Sequence, residues 1–329
     1  MRALQKLGRF AMGTAAIAFA AACGDSGGPD SNTDITPAEA AVIGGEVSGQ
    51  IGDLAGDLAS FGNPAGGLGG GLFAPQALGG RMARMMGRNI PGSFRPQLAM
   101  FAAGDPNCTP TVTGDSADSD GDGIQNNATY TFGAGSCAYQ DSLGNGFALT
   151  GAIVIQDTDG GATLWGVNVA FNNWRVLFYT DSASAGFEYD GNSTITVTSA
   201  AAISNQNVSA RWRVNGQRVF AADHNWQLSF NPDSGSIDPG SQSELPSGIF
   251  DITGQFAWSG SQGQADGTWN FTFDTPGAVH YNDACDTDPP IDAGQVRAAI
   301  TGRSNIGFTV DYGPACGQET INTFDAGNT

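Results

Sequence analysis

From about residue 128 almost to the end of the chain, apolar and polar positions alternate. Thr163, Trp165, Val167, Val169 and Phe171 interleave with smaller or polar neighbours. So do Phe250, Ile252, Phe256 and Trp258, then Trp269, Phe271 and Phe273, then Ile306, Phe308, Val310 and Tyr312. Successive side chains of a strand point to opposite faces, so this period of two predicts strands with one buried face. Asn215-Gly216 lies between the runs Val208 to Val214 and Gln217 to Phe220. Asp190-Gly191 lies between Phe187 to Tyr189 and Thr194 to Val197. Both dipeptides suit type I′ hairpin turns, which need positive φ at two positions. Roughly eleven to thirteen strands with short connections are expected. The chain therefore reads as mainly β, one large antiparallel up-and-down sheet in residues 108–329, formed as an open curled sheet, a barrel or a sandwich.

One segment breaks the period. Over residues 36–61 apolar side chains recur at Ile43, Val47, Ile51, Leu54, Leu58 and Phe61, spaced three or four apart, which predicts a helix with one apolar face. Thr36 can cap its start, Pro37 suits its first turn, and Glu39 stands where a capping box needs an acid. Gly44, Gly45, Gly49, Gly52 and Gly56 would weaken a free helix, so this amphipathic face is expected to pack on the protein's own sheet. Residues 62–107 are rich in Gly, Arg and Met and read as a linker; Arg81, Arg84, Arg88 and Arg95 would there offset an acidic domain. A basic, Met-bearing stretch could also lie on a membrane surface, but Gly and Pro interrupt this one.

The first residues are an address. A basic stretch with Arg2, Lys6 and Arg9 precedes an apolar run from Phe10 to Ala22, and small residues lead into Cys23, which is the pattern of an export signal over residues 1–22. The run is shorter than the roughly 20 residues of a spanning helix. Ala20-Ala21-Ala22-Cys23 resembles the lipobox of bacterial lipoproteins, with Ala20 where that motif usually carries Leu. The resemblance implies cleavage before Cys23 and a diacylglycerol on its thiol. Residues 23–35 are then a lipidated Cys and a flexible tether. Gly24 after the Cys favours the outer membrane over retention in the inner one, with the face left open.

Cysteine number agrees with that reading. Of five Cys, setting Cys23 aside leaves Cys108, Cys137, Cys285 and Cys316, an even set that implies two disulfides in an oxidising compartment. Three pairings are possible. Cys108 with Cys137 and Cys285 with Cys316 are favoured because each pair brackets a local hairpin or loop. Charge changes the picture of partners. The chain has 13 basic and 32 acidic residues, and the leader holds three of the basic ones, so ten arginines face 32 carboxylates in the mature protein. Such a surface repels nucleic acid and anionic lipid and favours divalent cations and solubility. The 49 glycines in a chain of 14% charged residues agree with many tight turns.

Candidate chemistry is sparse. Asp118-Ser119-Asp120-Gly121-Asp122-Gly123-Ile124-Gln125-Asn126 places carboxylates at the first, third and fifth positions of a glycine-bearing loop, where they can converge on one cation. The segment resembles the calcium repeats of thrombospondin type 3 and the opening of an EF-hand loop. It departs from the first with Asn126 in place of Asp, and from the second with Thr129 where an EF-hand has Glu. The resemblance implies a structural Ca2+ held by Asp118, Asp120, Asp122 and Asn126.

The two histidines, His224 and His280, stand in no nucleophile context and at no metal-ligand spacing. Glutamates are few, with Glu188 and Glu244 in the alternating region, and nothing pairs two carboxylates for glycoside hydrolysis. Among six tryptophans, Trp174 and Trp226 have the most polar neighbours and are the candidates for stacking on a sugar; the others read as core. From Thr275-Pro276 through Cys285, Asp292-Ala293-Gly294 and Val310-Asp311-Tyr312-Gly313 to Cys316-Gly317, the chain is similar to extracytoplasmic lipoproteins of environmental bacteria. That group brings no assigned activity. The expectation is a non-enzymatic, lipid-anchored module of the cell envelope that binds or builds, with a glycan or an envelope protein as partner. A glycan-binding surface protein is the first alternative, with a secreted hydrolase or a lipid carrier after it.

Overall fold

The computed structural model describes residues 34–61, 109–121, 124–133, 135, 137–158, 165–237, 245–261, 265–285, 287 and 290–325. Residues 1–33, which include Cys23, and residues 62–108 lie outside them. In the helix, side chains are described as far as Gly52.

The helix is α1 (Pro37–Phe61), and its start is the expected capping box. The Thr36 backbone N–H donates to Glu39 Oε2 at 2.8 Å, and the Glu39 N–H donates to Thr36 Oγ1 at 3.3 Å. The strands follow as β1 (Thr111–Asp115), β2 (Asn127–Phe132), β3 (Ala138–Gln140), β4 (Gly146–Asp157), β5 (Trp165–Tyr179), β6 (Ser184–Val197), β7 (Ala202–Val214), β8 (Gln217–Pro232), β9 (Gly248–Gly260), β10 (Gly267–Tyr281), β11 (Ile291–Ile300), β12 (Arg303–Tyr312) and β13 (Glu319–Asp325).

All thirteen belong to one antiparallel sheet in chain order, except that β3 pairs with β4 beside the path. Among the described residues no ladder joins β1 to β13, so the sheet is open and neither a closed barrel nor a sandwich. One end of the sheet carries the connections β5–β6, β7–β8, β9–β10 and β11–β12 and is called here the turn end. The opposite, loop end carries β1–β2, β8–β9, β10–β11 and β12–β13.

The alternation is realised almost strand for strand. In β7, Ala202, Ser204, Gln206, Val208, Ala210 and Trp212 are buried, while Ile203, Asn205 and Asn207 between them are exposed. The buried face collects into one apolar cluster that also contains Ile43, Val47 and Ile51 of α1. Its rings reach past their immediate neighbour strands. Phe271 of β10 meets Phe308 of β12 with centroids 5.3 Å apart, Trp226 of β8 meets Phe273 of β10 at 5.7 Å, and Phe132 of β2 meets Trp174 of β5 at 6.5 Å. Strands two apart in a sheet are separated by roughly 10 Å, so these approaches mean that the sheet curls with its apolar side concave.

Two local features correct the sequence reading. Asn215-Gly216 is the expected turn, with φ of 50° and 78°. Asp190-Gly191 is not a turn: both residues lie inside β6, where Gly191 has φ 119°. A Cβ on Gly191 would stand 2.2 Å from the Asn207 carbonyl oxygen, so glycine there serves a mid-strand kink that helps the sheet curl. The Asp190 carboxylate accepts a hydrogen bond from the Asn173 N–H at 2.8 Å, across a bulge in β5.

Helix α1 lies along the β12–β13 edge. A Cβ on Gly44 would stand 2.9 Å from Ile321, so the glycine permits the close approach that the apolar face needs. Tyr312 Oη donates to Ser48 Oγ at 3.2 Å, Ser48 also bonds Glu319, and Arg303 pairs with Asp34 at 2.5 Å. Asp34 is thereby fixed at the turn end, where β12 begins, and Ser48 lies at the loop end, where β12 finishes. Cys285 and Cys316 are joined, as expected, and tie the β10–β11 connection to the β12–β13 connection. Cys137 is also disulfide-bonded; Cys108 lies outside the described residues.

Candidate functional site

The solvent-facing side of the sheet carries short polar side chains in cross-strand rows. Gln227 Nε2 donates to Asn205 Oδ1 at 2.7 Å, and Asn205 Nδ2 donates to Thr194 Oγ1 at 3.4 Å, which ties β8, β7 and β6. Next to this row is an open hollow of about 430 Å³ bordered by Asp223, Asn225, Gln255, Asn270 and Thr301. Register explains it. Asp223 of β8 pairs with Ala257 of β9, which pairs with Asn270 of β10, while Asn225 pairs with Gln255 one step along. The Ala257 methyl is the floor, and the longer polar side chains are the walls. Asp223 Oδ1 accepts from Ser209 Oγ at 2.5 Å, which leaves Oδ2 facing solvent. Among the described residues the side-chain amides of Asn225, Gln255 and Asn270 engage no hydrogen-bond partner. A carboxylate oxygen and three amides around an apolar floor can accept from and donate to the hydroxyls of a polyol.

Trp174 and Trp226, expected at the surface, are 0% and 3% exposed. Stacking of a sugar on an exposed face is closed to both. For Trp174 the cause is the β5 bulge. Asn172 and Asn173 are both exposed, and Asn173 has φ 47°, so the added residue shifts the phase and turns Trp174 inward. Trp226 lies in phase with Leu228 and His224 on the concave side, and its Nε1 donates to Gln206 Oε1 at 2.9 Å. Packing there is dense: Trp174, Trp212, Trp258, Trp269 and Phe256 are all less than 2% exposed, so no water-sized void lies against them.

The histidines occupy opposite environments. His224 is 2% exposed between the rings of Trp226 and Phe256, each centred 4.9 Å away, and neither ring nitrogen has a hydrogen-bond partner. Burial pushes its pKa down to about 4, against a smaller upward pull from the Asp223 charge. His280 sits at the loop end with Nδ1 2.6 Å from Asp292 Oδ1 and Nε2 2.8 Å from Asp233 Oδ2. Partial burial pulls its pKa down, but the hydrogen bonds to and charges of Asp292 and Asp233 outweigh it and the net shift is upward. The Asp292 carboxyl is held below its usual range: burial opposes this, and hydrogen bonds from Asn282 and His280 prevail. With both nitrogens hydrogen-bonded to carboxylates, His280 is a clamp between β10, β11 and the β8–β9 connection. Among the described residues no hydroxyl bonds it; Ser247 donates to Asp283 at 2.7 Å. Glu188 is spent on Arg175 and Arg213 at 2.5 and 3.4 Å, and Glu244 lies outside the described residues.

The acidic loop is described in part. Asp118 Oδ1 accepts from the Gly121 N–H at 2.8 Å, and Asn126 Oδ1 accepts from the hydroxyl and the N–H of Ser119. Asn126 Nδ2 donates to Asp115 Oδ2 at 2.8 Å, and Ile124, fully buried, pins the loop to the core. Asp122 lies outside the described residues. Sequence spacing did not single out Asp115, whose carboxyl is held low by the bond from Asn126 and then by the Ala117 N–H.

No family model, curated protein or solved structure matches this chain.

Proposed function

We propose that this chain is a non-enzymatic lipoprotein of the cell envelope, acylated at Cys23 and held to the outer membrane, that binds glycan on the outward face of its sheet. The observation that carries the reading is the hollow floored by Ala257. Around it Asp223, Asn225, Gln255 and Asn270 present uncommitted hydrogen-bonding groups to solvent. A saccharide matches that set better than an apolar ligand does, because each wall group can exchange a water for a hydroxyl. Without an aromatic platform each site is weak, and a repeating polymer gains avidity by occupying neighbouring rows. Against catalysis stand the committed nitrogens of His280 and the sealed position of His224. Against a lipid carrier stands the close packing of the concave side. In this reading the Asp118–Asn126 loop takes a structural Ca2+ through Asp118, Asp120 and Asp122, with Asn126 closing the loop; a cation there would be supplied outside the cytoplasm even at millimolar affinity.

The test is calorimetric titration of the mature protein with neutral oligosaccharides and polysaccharides, alongside the variants Asp223→Ala and Asn225→Ala. Each substitution removes one or two hydrogen bonds and is expected to weaken binding about fivefold. Binding that both variants retain unchanged would place the ligand elsewhere, and no saccharide binding at all would end the glycan reading.

A further inference from the structure

The balance of charge differs between the two ends of the sheet. Six arginines fall among the described residues, Arg175, Arg211, Arg213, Arg218, Arg297 and Arg303, and all six lie in the half near the turn end. The turn-end half also holds carboxylates that offset them, Asp34, Asp141, Asp181, Glu188, Asp266 and Asp325 among others, whereas the loop-end half holds none of the six arginines and gathers Asp118, Asp120, Asp157, Asp233, Asp283 and Asp292. Chain order gives this asymmetry a direction. Asp34 is paired with Arg303 at the turn end, and α1 runs from there toward Ser48 and Glu319 at the loop end. The chain between Cys23 and Asp34 is therefore attached to the molecule at the turn end.

We infer that the protein stands on an anionic phospholipid surface with its turn end down and its acidic loop end pointing away from the membrane. The inference rests on acylation of Cys23. Two independent physical limits support it. The ten residues between Cys23 and Asp34 span at most about 35 Å when fully extended. The longest strand, β8, has 16 residues and runs for roughly 50 Å. A lipid rooted at the turn end cannot bring the loop end to the bilayer without drawing the tether along nearly the whole molecule. Electrostatics gives the same sense. An anionic leaflet attracts basic groups near its surface by about 1 kcal/mol each and repels carboxylates, with a range near the Debye length of about 10 Å. Arg213, Arg218 and Arg303 stand at the end that faces the lipid, but Arg213 is paired with Glu188 and Arg303 with Asp34, so the sense comes mainly from repulsion of the loop-end carboxylates, which no described arginine offsets. The loop end, which holds the His280 clamp and the acidic loop, is then presented to the aqueous side.

The orientation is read by fluorescence quenching in vesicles. The full mature lipoprotein is reconstituted in phosphatidylcholine containing about a third phosphatidylglycerol, with a small fluorophore carried by an unnatural amino acid at Ser182, an exposed residue of the β5–β6 turn, or at Ser234, an exposed residue of the β8–β9 connection. Spin-labelled headgroups are expected to quench the Ser182 label at least twice as strongly as the Ser234 label, with the contrast reduced in pure phosphatidylcholine at high salt. Flotation with equal quenching, or stronger quenching at Ser234, overturns the orientation and leaves acylation standing. Failure to float with the vesicles, together with a mass lacking the diacylglycerol, overturns the acylation and the orientation with it.

Discussion

At the scale of single residues, the two histidines should make stability depend on pH in opposite senses. His224 is held at about 4 in the folded chain against an ordinary 6.5, so as pH falls the unfolded chain takes up the proton first. Its contribution is complete above about pH 6.5 and is lost as pH falls toward 4, by roughly 3 kcal/mol in all. His280 has its folded pKa raised, so its clamp contributes fully below 6.5 and the contribution is lost as pH rises through the raised value. Urea unfolding at pH 5 to 9 separates them. His224→Phe is expected to flatten the fall in stability between about pH 6.5 and 5, and His280→Gln to flatten the decline on the alkaline side. An acid limb that survives His224→Phe unchanged would show that the buried ring is not its source. The environment of His280 was not legible in the sequence. Asp233 and Asp292 lie 47 and 12 positions from His280, and it is the pairing of β10 with β11 and the path of the β8–β9 connection that bring the three together. His224 and Trp226 could have been assigned inward, because Asp223, Asn225 and Gln227 alternate with them.

At the scale of elements, local chemistry was readable wherever contacts are close in sequence. The capping box at Thr36 and Glu39, the turn at Asn215-Gly216 and the alternation of β7 to β10 all formed as their residues dictate. What escaped were places where a third element decides. Asp190-Gly191 has the composition of a turn, yet the continuing ladder to β7 makes it a kink. Trp174 changed face because of one bulge residue, which no period-two count anticipates. Gly44 looked like a weakness of α1 and is instead its contact with Ile321. Gly44→Leu should accordingly displace the helix from the β12–β13 edge and lower stability by about 1–3 kcal/mol, in the range of overpacked core sites. Hydrogen exchange should then report loss of protection in β13 before β8. Unchanged protection of β13 would mean that α1 does not brace that edge. Thr36→Ala, which deletes the cap alone, is expected to cost about 1 kcal/mol by thermal or urea unfolding. Replacing Cys285 and Cys316 together by Ser should cost about 2–4 kcal/mol, since the bridge closes a long loop. A loss well under 1 kcal/mol would show that the sheet holds those connections without it.

At the scale of the whole molecule, the sheet solves two problems with one curl. Its apolar rows find partners in one another and in α1, and its polar rows remain outside as a broad hydrogen-bonding surface. A membrane-spanning strand barrel has the reverse arrangement, with apolar side chains outward; here the outward residues of β7 and β8 include Asn205, Asn207, Asp223, Asn225 and Gln227. The hollow at Asp223, Asn225, Gln255 and Asn270 was invisible in sequence for the same reason as the His280 clamp: its walls come from three strands, and only register places them together. The acidic loop, by contrast, was visible as a local motif, and the proposal of a cation there is open to a direct test. With Ca2+ bound, thermal unfolding should rise in calcium and fall with chelator, by about 2.7 kcal/mol at a hundredfold excess over the dissociation constant; an unchanged midpoint would remove the ion.

Compartment, thiol pairing, calcium supply and orientation all follow from what happens at Cys23. The direct measurement is intact-mass and peptide mass spectrometry of the protein purified from fractionated cells. The expected product begins at Cys23, carries a diacylglycerol on that thiol, has its other four cysteines oxidised in two disulfides, and is found in the outer-membrane fraction. A product that keeps residues 1–22, carries free thiols and is found in the soluble intracellular fraction would contradict it.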